Sequence, residues 1–285
     1  MAQIAVVLGW FAFALYIAAA VFYGYQFLLK RSQVTWWARF LTGAGFICQT
    51  LSIGANSIAN DGTPLTGANQ FYLAAWALVL IYFLLEHIIR IKIYGAFLIP
   101  VAVVLMAVSR LMGGTAQGSL TAEQASQLDG WQVGFHVALI VFANAAFIFG
   151  GVSAILYLFQ GRSLKDHRSN VITRRLPSLA TLQNVSRRAI TIGFPIYSAG
   201  LFLGILRAIE VDVNGWWADP RVMLAGLVWM TFGVYLWLTY RHEVSGKTSA
   251  WIAIVGLTLV IVVAIVARTL PVGFHIFGLP PAPPS

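Results

Sequence analysis

Long apolar stretches, separated by shorter polar connections, make up most of this 285-residue chain. A transmembrane helix needs roughly 20 apolar residues to cross the hydrocarbon core of a bilayer. Several stretches approach or exceed that length, and none shows the strand-like alternation of a membrane barrel. The pattern predicts an all-α, polytopic integral membrane helical bundle with about eight transmembrane helices. The predicted spans cover residues 4–29, 38–58, 71–91, 94–111, 133–159, 191–209, 222–240 and 249–270.

The basic residues are distributed unevenly over the predicted connections. Of the 18 Lys and Arg residues, 14 fall on one side of the bundle. The other four are Arg110, Arg207, Arg221 and Arg268. Cytoplasmic connections carry such an excess, so the side with 14 is predicted to be inside and both termini outside. The first apolar run is predicted to be a retained helix, because its basic residues follow the run and do not precede it.

Composition supports a membrane protein and argues against a soluble domain, a nucleic-acid-binding protein and a cysteine-based metal protein. Charged residues make up 9% of the chain, whereas soluble domains carry roughly a quarter. The formal net charge is +9, but the basic residues cluster in alternate connections. This favours the lipid bilayer of a bacterial inner (cytoplasmic) membrane as the partner, and not nucleic acid. Cys48 is the only cysteine, so the chain cannot form an internal disulfide or a cysteine-based metal site.

Two polar segments lie outside the predicted spans. Residues 160–190 are predicted to form a solvated basic loop, whose surface also suits anionic lipid. A docking site for a cytoplasmic partner is the alternative. Residues 279–285, which are rich in proline, are predicted to be a disordered tail.

Two histidines are predicted to reach the same outer face of the membrane. His136 begins a long apolar span, where an ionisable group is costly unless it faces a partner or a cavity. His275 follows the last span, within an aromatic segment. A hydrogen bond to a neighbouring helix and an interfacial anchor are the simpler explanations of these two residues. Imidazole nitrogen is also an ordinary axial ligand of haem iron, so the pair predicts a site that handles haem.

The other three histidines lie toward the predicted inner side. His87 follows Glu86 near the end of the third span, where Glu86 and Arg90 are spaced to pair on one helix face. We interpret this group as a structural interfacial cluster, and a second, inner haem or relay site at His87 is the alternative. His167 and His242 are interpreted as solvated loop residues.

A tryptophan pair precedes the seventh span on the predicted outer side. Trp216 and Trp217 suit membrane-interface anchoring, and indole faces also stack well on flat conjugated rings. Asp219 and Pro220 predict the start of a helix, with Asp219 near the N-cap and Pro220 near the first position. Arg221 suits a carboxylate such as a haem propionate.

Four segments resemble cytochrome c assembly proteins with a tryptophan-rich WWD domain, particularly the CcsA/ResC branch and the related HemX-type proteins. Residues 176–195, LPSLATLQNVSRRAITIGFP, resemble the family's LPSL…GFP stretch. Residues 215–221, GWWADPR, resemble the end of the WWD motif. His136 and His275 stand in segments similar to those that carry the family's two external histidines. The match is best over 131–278, and we assign that segment as the assembly core and 1–130 as an N-terminal four-helix membrane region.

The resemblance implies a function. In this family the two external histidines ligate haem beside the WWD domain, and the haem is presented to apocytochrome c for covalent attachment. For this chain it implies a non-covalently held b-type haem with axial ligands His136 and His275. It implies a haem-holding surface of Trp216, Trp217 and Asp219. It also implies a CcsB/ResB-type membrane partner, with which the chain would form part of a cytochrome c haem lyase.

The chain departs from the family pattern at four points. The tryptophan- and asparagine-rich lead-in to the motif is absent, and Ala218 stands where a tryptophan is usual. Arg221 and Val222 stand where lysine and glutamate are usual, and Trp237 replaces a histidine within the membrane. Indole nitrogen only donates, so Trp237 is not a haem ligand. These departures leave two alternatives open. One is a HemX-like protein that regulates or scaffolds haem biosynthesis, and the other is an accessory subunit of a membrane redox complex.

Overall fold

A computed structural model describes residues 1–29, 32–59, 69–89, 92–111, 131–166, 173–212, 215–242 and 244–269. These ranges contain helices and turns and no β-strand, which confirms the predicted all-α class. The helices are α1 Ala2–Leu29, α2 Ser32–Ala59, α3 Asn69–Ile89, α4 Gly95–Leu111, α5 Trp131–Lys165, α6 Leu179–Glu210, α7 Pro220–Arg241 and α8 Gly246–Thr269. Short 3₁₀ turns occur at Lys92–Tyr94, Thr173–Arg175 and Trp216–Ala218.

The apolar helices identify a multi-pass membrane protein. In the described part of the chain, five helices, α1 and α5 to α8, are long and apolar enough to cross a membrane. Shorter apolar stretches lie in α3 and α4, at Gln70–Leu84 and Gly95–Leu111. The total of about eight spans and the outer position of both termini remain predictions.

Successive helices run in alternating directions, so that each end of the bundle gathers alternate helix termini. At one end, the Ser52 hydroxyl of α2 donates to the Ala5 carbonyl of α1 at 2.7 Å. The Gln70 amide of α3 donates to the Ala264 carbonyl of α8 at 2.8 Å at the same end. We call this the His136 end, because α5 also begins there.

We call the opposite end the basic end, because the arginines of α2 and of the α5–α6 connection lie there. Arg39 of α2 forms an ion pair with Glu86 of α3. Arg175 donates to the Phe27 carbonyl in the last turn of α1. The carbonyls of the last helical turn receive no hydrogen bond from a backbone N–H of the same helix. Arg175 supplies the missing donor for the Phe27 carbonyl.

The predicted loop at 160–190 is largely helical in the structure, which corrects the sequence interpretation. Helix α5 continues to Lys165, and α6 begins at Leu179. The reason is local, because the Ser178 hydroxyl accepts a hydrogen bond from the Thr181 amide at 3.2 Å and caps α6. With 35 residues, α5 is about 50 Å long and is longer than the roughly 30 Å hydrocarbon core of a bilayer.

Helix α5 lies at the centre of the bundle and contributes to both of its apolar clusters. One cluster joins α5 to the first four helices and also includes Leu182 and Val185 of α6 and Leu257 of α8. The other cluster joins α5 to α6, α7 and α8. In the second cluster, the Phe147 ring of α5 stacks on Phe232 of α7 at a centroid distance of 3.8 Å. A side chain added at Gly151 of α5 would meet Leu257 of α8 at 2.6 Å. Such small residues let membrane helices pack closely, which holds α5 rigidly in place.

Candidate functional site

His136 lies in the second turn of α5 and is fixed by a contact with α6. Its Nδ1 atom is 2.7 Å from the carbonyl oxygen of Gly200. A carbonyl oxygen only accepts hydrogen bonds, so this contact requires the proton on Nδ1. In the neutral imidazole, Nε2 then carries the lone pair. A backbone carbonyl bound to one ring nitrogen is the usual arrangement of a histidine that ligates metal through the other nitrogen.

Helix α6 sets the depth of His136 relative to α7. The Tyr197 hydroxyl of α6 donates to the Ala225 carbonyl of α7 at 3.3 Å. In the same turn of α6, the Ser198 hydroxyl accepts from Trp229 Nε1 at 2.8 Å. Gly200 and Gly204 follow in α6, which runs antiparallel to α7, so the imidazole lies at the level of the first or second turn of α7.

The tryptophan pair lies in a 3₁₀ turn just before α7. The rings of Trp216 and Trp217 are edge to face at a centroid distance of 6.0 Å, and Trp217 is 66% exposed. Gly215 precedes them with a φ of 73°, a left-handed conformation that glycine adopts without strain. The turn therefore presents indole surface at the His136 end, roughly one to two helical turns above the imidazole.

Asp219 caps α7, as the sequence predicts. Its Oδ1 atom accepts a hydrogen bond from the Arg221 amide at 2.8 Å, and Pro220 occupies the first helical turn. Asp219 and Arg221 are both buried, at 3% and 5% exposure. The cap therefore anchors the tryptophan turn to the rigid start of α7.

The remaining predicted residues either lie outside the described ranges or lie at the basic end of the bundle. His275, the second predicted axial ligand, lies outside the described residues, as do Arg90 and His167. His87 is exposed near the basic end, far from the start of α5. Its neighbour Glu86 pairs with Arg39 of α2, so the carboxylate has a partner that the helix-face pattern did not predict.

His242 also lies at the basic end, as the residue that follows α7. Its ring contacts Trp237 with a centroid distance of 4.4 Å. Among the residues that the structure describes, no group of three or more His, Cys, Asp or Glu side chains is arranged to hold a metal ion. Of the histidines that the structure describes, His136 is the one at the His136 end, because His87 and His242 lie at the basic end.

Sequence reasoning missed Gly200 and Gly204, which face His136 from α6. The Gly200 carbonyl receives the imidazole hydrogen bond, and Gly204 lies directly against the ring. The available signal was two glycines four residues apart in an apolar helix, which is a common sign of close helix packing. That signal predicts a close neighbour but does not identify the neighbour as an imidazole.

These observations define a class, a multi-pass helical membrane protein with a fixed imidazole and a tryptophan turn at one end of its bundle. Residues 66–275 match the model of the family described as "Cytochrome C assembly protein". The matched segment covers well over half of the chain and includes α3 to α8. The chain belongs to the cytochrome c assembly protein family, and it is a multi-pass membrane protein of cytochrome c assembly.

The chain is similar over most of its length to curated relatives, some of which are named CcsA and one of which is named HemX. The "Cytochrome c biogenesis protein CcsA" of Prochlorococcus marinus is 28% identical over 72% of this chain and 72% of its own length. The protein of that name from Guillardia theta is 24% identical over 80% of this chain and 81% of its own length. "Protein HemX" of Brevibacillus brevis is 25% identical over 87% of this chain and 90% of its own length.

Proposed function

We propose that this chain binds haem as its cargo and presents it at the outer face of a bacterial inner membrane for attachment to apocytochrome c. The observation that carries the proposal is the imidazole of His136, held through Nδ1 by the Gly200 carbonyl at 2.7 Å. That contact leaves Nε2 as the ligating nitrogen, so the residue fits haem iron. His275 is proposed as the second axial ligand of the b-type haem.

The tryptophan turn is proposed to hold the flat surface of the haem. Trp217 is largely exposed in a turn that the Asp219 cap fixes to α7. Exposed indole offers a face for a conjugated ring, and a capped helix start keeps that face in one position. The role proposed for Asp219 is therefore to support the haem-holding surface, and the role proposed for Arg221 is to neutralise a propionate.

The protein's contribution to the reaction is proposed to be positional. Haem supplies the iron and the vinyl groups, and the cysteines of apocytochrome c supply the thiols. His136 and the tryptophan turn orient the haem, and bond formation belongs largely to the reactants. A CcsB/ResB-type membrane partner is proposed to complete the haem lyase.

The first test is an absorption spectrum of the detergent-purified protein, oxidised and reduced, beside the His136→Ala/His275→Ala double variant. Wild-type protein should show a low-spin Soret band and a sharp alpha band, and the double variant should lose both. His242→Ala is the matched control, because this histidine lies at the opposite end of the bundle. Equal haem content in the wild type and the double variant would overturn the proposal.

A HemX-like role in regulating or scaffolding haem biosynthesis is the second candidate. The relative named HemX covers 87% of this chain, and Trp237 stands where a membrane histidine is usual in the CcsA-type pattern. A deletion strain separates the two functions. Normal holocytochrome c with altered haem-precursor levels would support the HemX-like role, whereas loss of holocytochrome c with normal precursors would support presentation of haem.

A further inference from the structure

The imidazole of His136 packs into a gap, the His136 slot, that exists because α6 has a glycine at position 204. A Cβ atom added to Gly204 would lie 2.7 Å from His136 Cε1 and 2.8 Å from Nδ1. Real Cβ atoms do not approach other atoms so closely, so any larger residue at 204 must displace the ring. The χ1 angle of a histidine has only a few staggered wells, so a displaced ring must take another rotamer and leave the Gly200 carbonyl.

Gly200 lies one turn earlier on the same face of α6 and contributes in two ways. Its carbonyl oxygen receives the Nδ1 hydrogen bond at 2.7 Å. A Cβ atom added to Gly200 would meet Ile140 of α5 at 2.9 Å, so the missing side chain lets α6 approach α5 closely. That close approach is what brings the carbonyl within reach of the ring.

We propose that Gly200 and Gly204 are positioning residues that hold His136 as its Nδ1–H tautomer, so that Nε2 would be the nitrogen that binds haem iron. Gly204 provides the space for the ring, and Gly200 provides the acceptor that selects the tautomer. The hydrogen bond to the carbonyl makes Nε2 a stronger ligand. The role of the His136 slot in binding iron rests on the proposed function. The slot itself, the gap at Gly204 together with the Gly200 carbonyl, is a property of the chain without haem.

The test substitutes Gly204 by Ala and compares the result with two matched glycine variants. Gly134→Ala lies two residues from His136 on α5, and Gly226→Ala lies on α7. An added Cβ at either position has no atom within 4 Å. All three changes replace a helical glycine by alanine, and only Gly204→Ala places a Cβ atom against the imidazole.

The first measurement is nitrogen-15 NMR of the imidazoles in the haem-free protein, with His136 assigned by its absence in His136→Gln. Wild-type protein and both control variants should show the Nδ1–H tautomer, and Gly204→Ala should lose it. The second measurement is titration with haem. Gly204→Ala should bind haem at least about tenfold more weakly than the two controls, because a displaced supporting group typically costs 10- to 100-fold in metal affinity.

The outcomes separate the slot from the proposed function. An Nε2–H tautomer in the wild type overturns the inference, even where Gly204→Ala does not fold. A Gly204→Ala variant that keeps the wild-type tautomer and haem affinity also overturns it. An Nδ1–H tautomer lost only in Gly204→Ala, in a protein that takes up no haem, supports the slot and contradicts haem presentation.

Discussion

At the scale of single residues, the sequence predicts local roles well. Asp219 was predicted to be near the N-cap of the seventh span, and the structure places its carboxylate on the Arg221 amide at 2.8 Å. The reason is that a cap depends on residues within one turn of each other. A residue's contacts across the bundle depend on packing, and for this reason the sequence did not reveal that Gly200 is the acceptor for His136.

The cap role of Asp219 can be separated from direct contact with haem. Asp219→Ser keeps a capping oxygen, whereas Asp219→Ala removes it and should lower the free energy of unfolding by about 1 kcal/mol. We expect the Ser variant to retain haem at close to the wild-type level, and the Ala variant to retain less because the tryptophan turn loosens. Pyridine haemochrome assays and thermal unfolding in detergent measure the two effects. Equal haem loss in both variants would instead indicate that the carboxylate itself contacts haem.

A buried hydrogen bond in the N-terminal half offers a stability test. The Tyr16 hydroxyl donates to Gln49 Oε1 at 2.9 Å, and the Gln49 amide donates to the Tyr72 carbonyl at 2.9 Å. Tyr16→Phe should lower the free energy of unfolding by about 1 kcal/mol, because it leaves a buried acceptor unsatisfied.

In a Gln49→Leu background, Tyr16→Phe should lower the free energy of unfolding by less, because the Gln49 acceptor is no longer present to be left unsatisfied. A double-mutant cycle of thermal unfolding measures this coupling. Additive effects of the two substitutions would show that the hydrogen bond does not stabilise the protein.

At the scale of helices, the sequence predicted their existence better than their ends. All eight predicted spans correspond to helices, but α5 and α6 extend well into the predicted loop at 160–190. Apolar length indicates only the membrane-embedded part of a helix. The polar extensions follow from caps and from packing, as the Ser178 cap of α6 illustrates.

The sequence pattern also did not predict the ion pair between α2 and α3. The Glu86 side chain is 9% exposed and that of its partner Arg39 is 38% exposed. Arg39→Gln should lower the free energy of unfolding by roughly 2 kcal/mol, because it leaves a mostly buried carboxylate without its cation while solvent screens part of the loss.

The double variant Arg39→Gln/Glu86→Gln should recover most of that stability, because it leaves no unpaired buried charge. Thermal unfolding in detergent compares the two variants, and His242→Ala serves as a control at the same end of the bundle. A double variant that is less stable than Arg39→Gln would contradict this account.

At the scale of the whole molecule, the orientation in the membrane can be tested directly. In a Cys48→Ser background, we expect Ala218→Cys to react with a membrane-impermeant maleimide added outside intact cells. Lys165→Cys, at the basic end, should react only after permeabilisation. The excess of basic residues at that end is the physical reason, since positively charged connections stay in the cytoplasm. Labelling of Lys165→Cys and not Ala218→Cys in intact cells would reverse the topology and place His136 inside.

The sequence by itself determined the class of this protein, because apolar length and sparse charge leave a helical membrane bundle as the stable arrangement. Its motifs also indicated the cytochrome c assembly family, since they lie in contiguous segments of the chain. Only the tertiary structure decided that Arg39 is the partner of Glu86 and that Gly200, 64 residues from His136, is the acceptor for its imidazole. Contacts between distant residues depend on which helix faces meet and how closely they pack, and no local pattern of residues specifies that geometry.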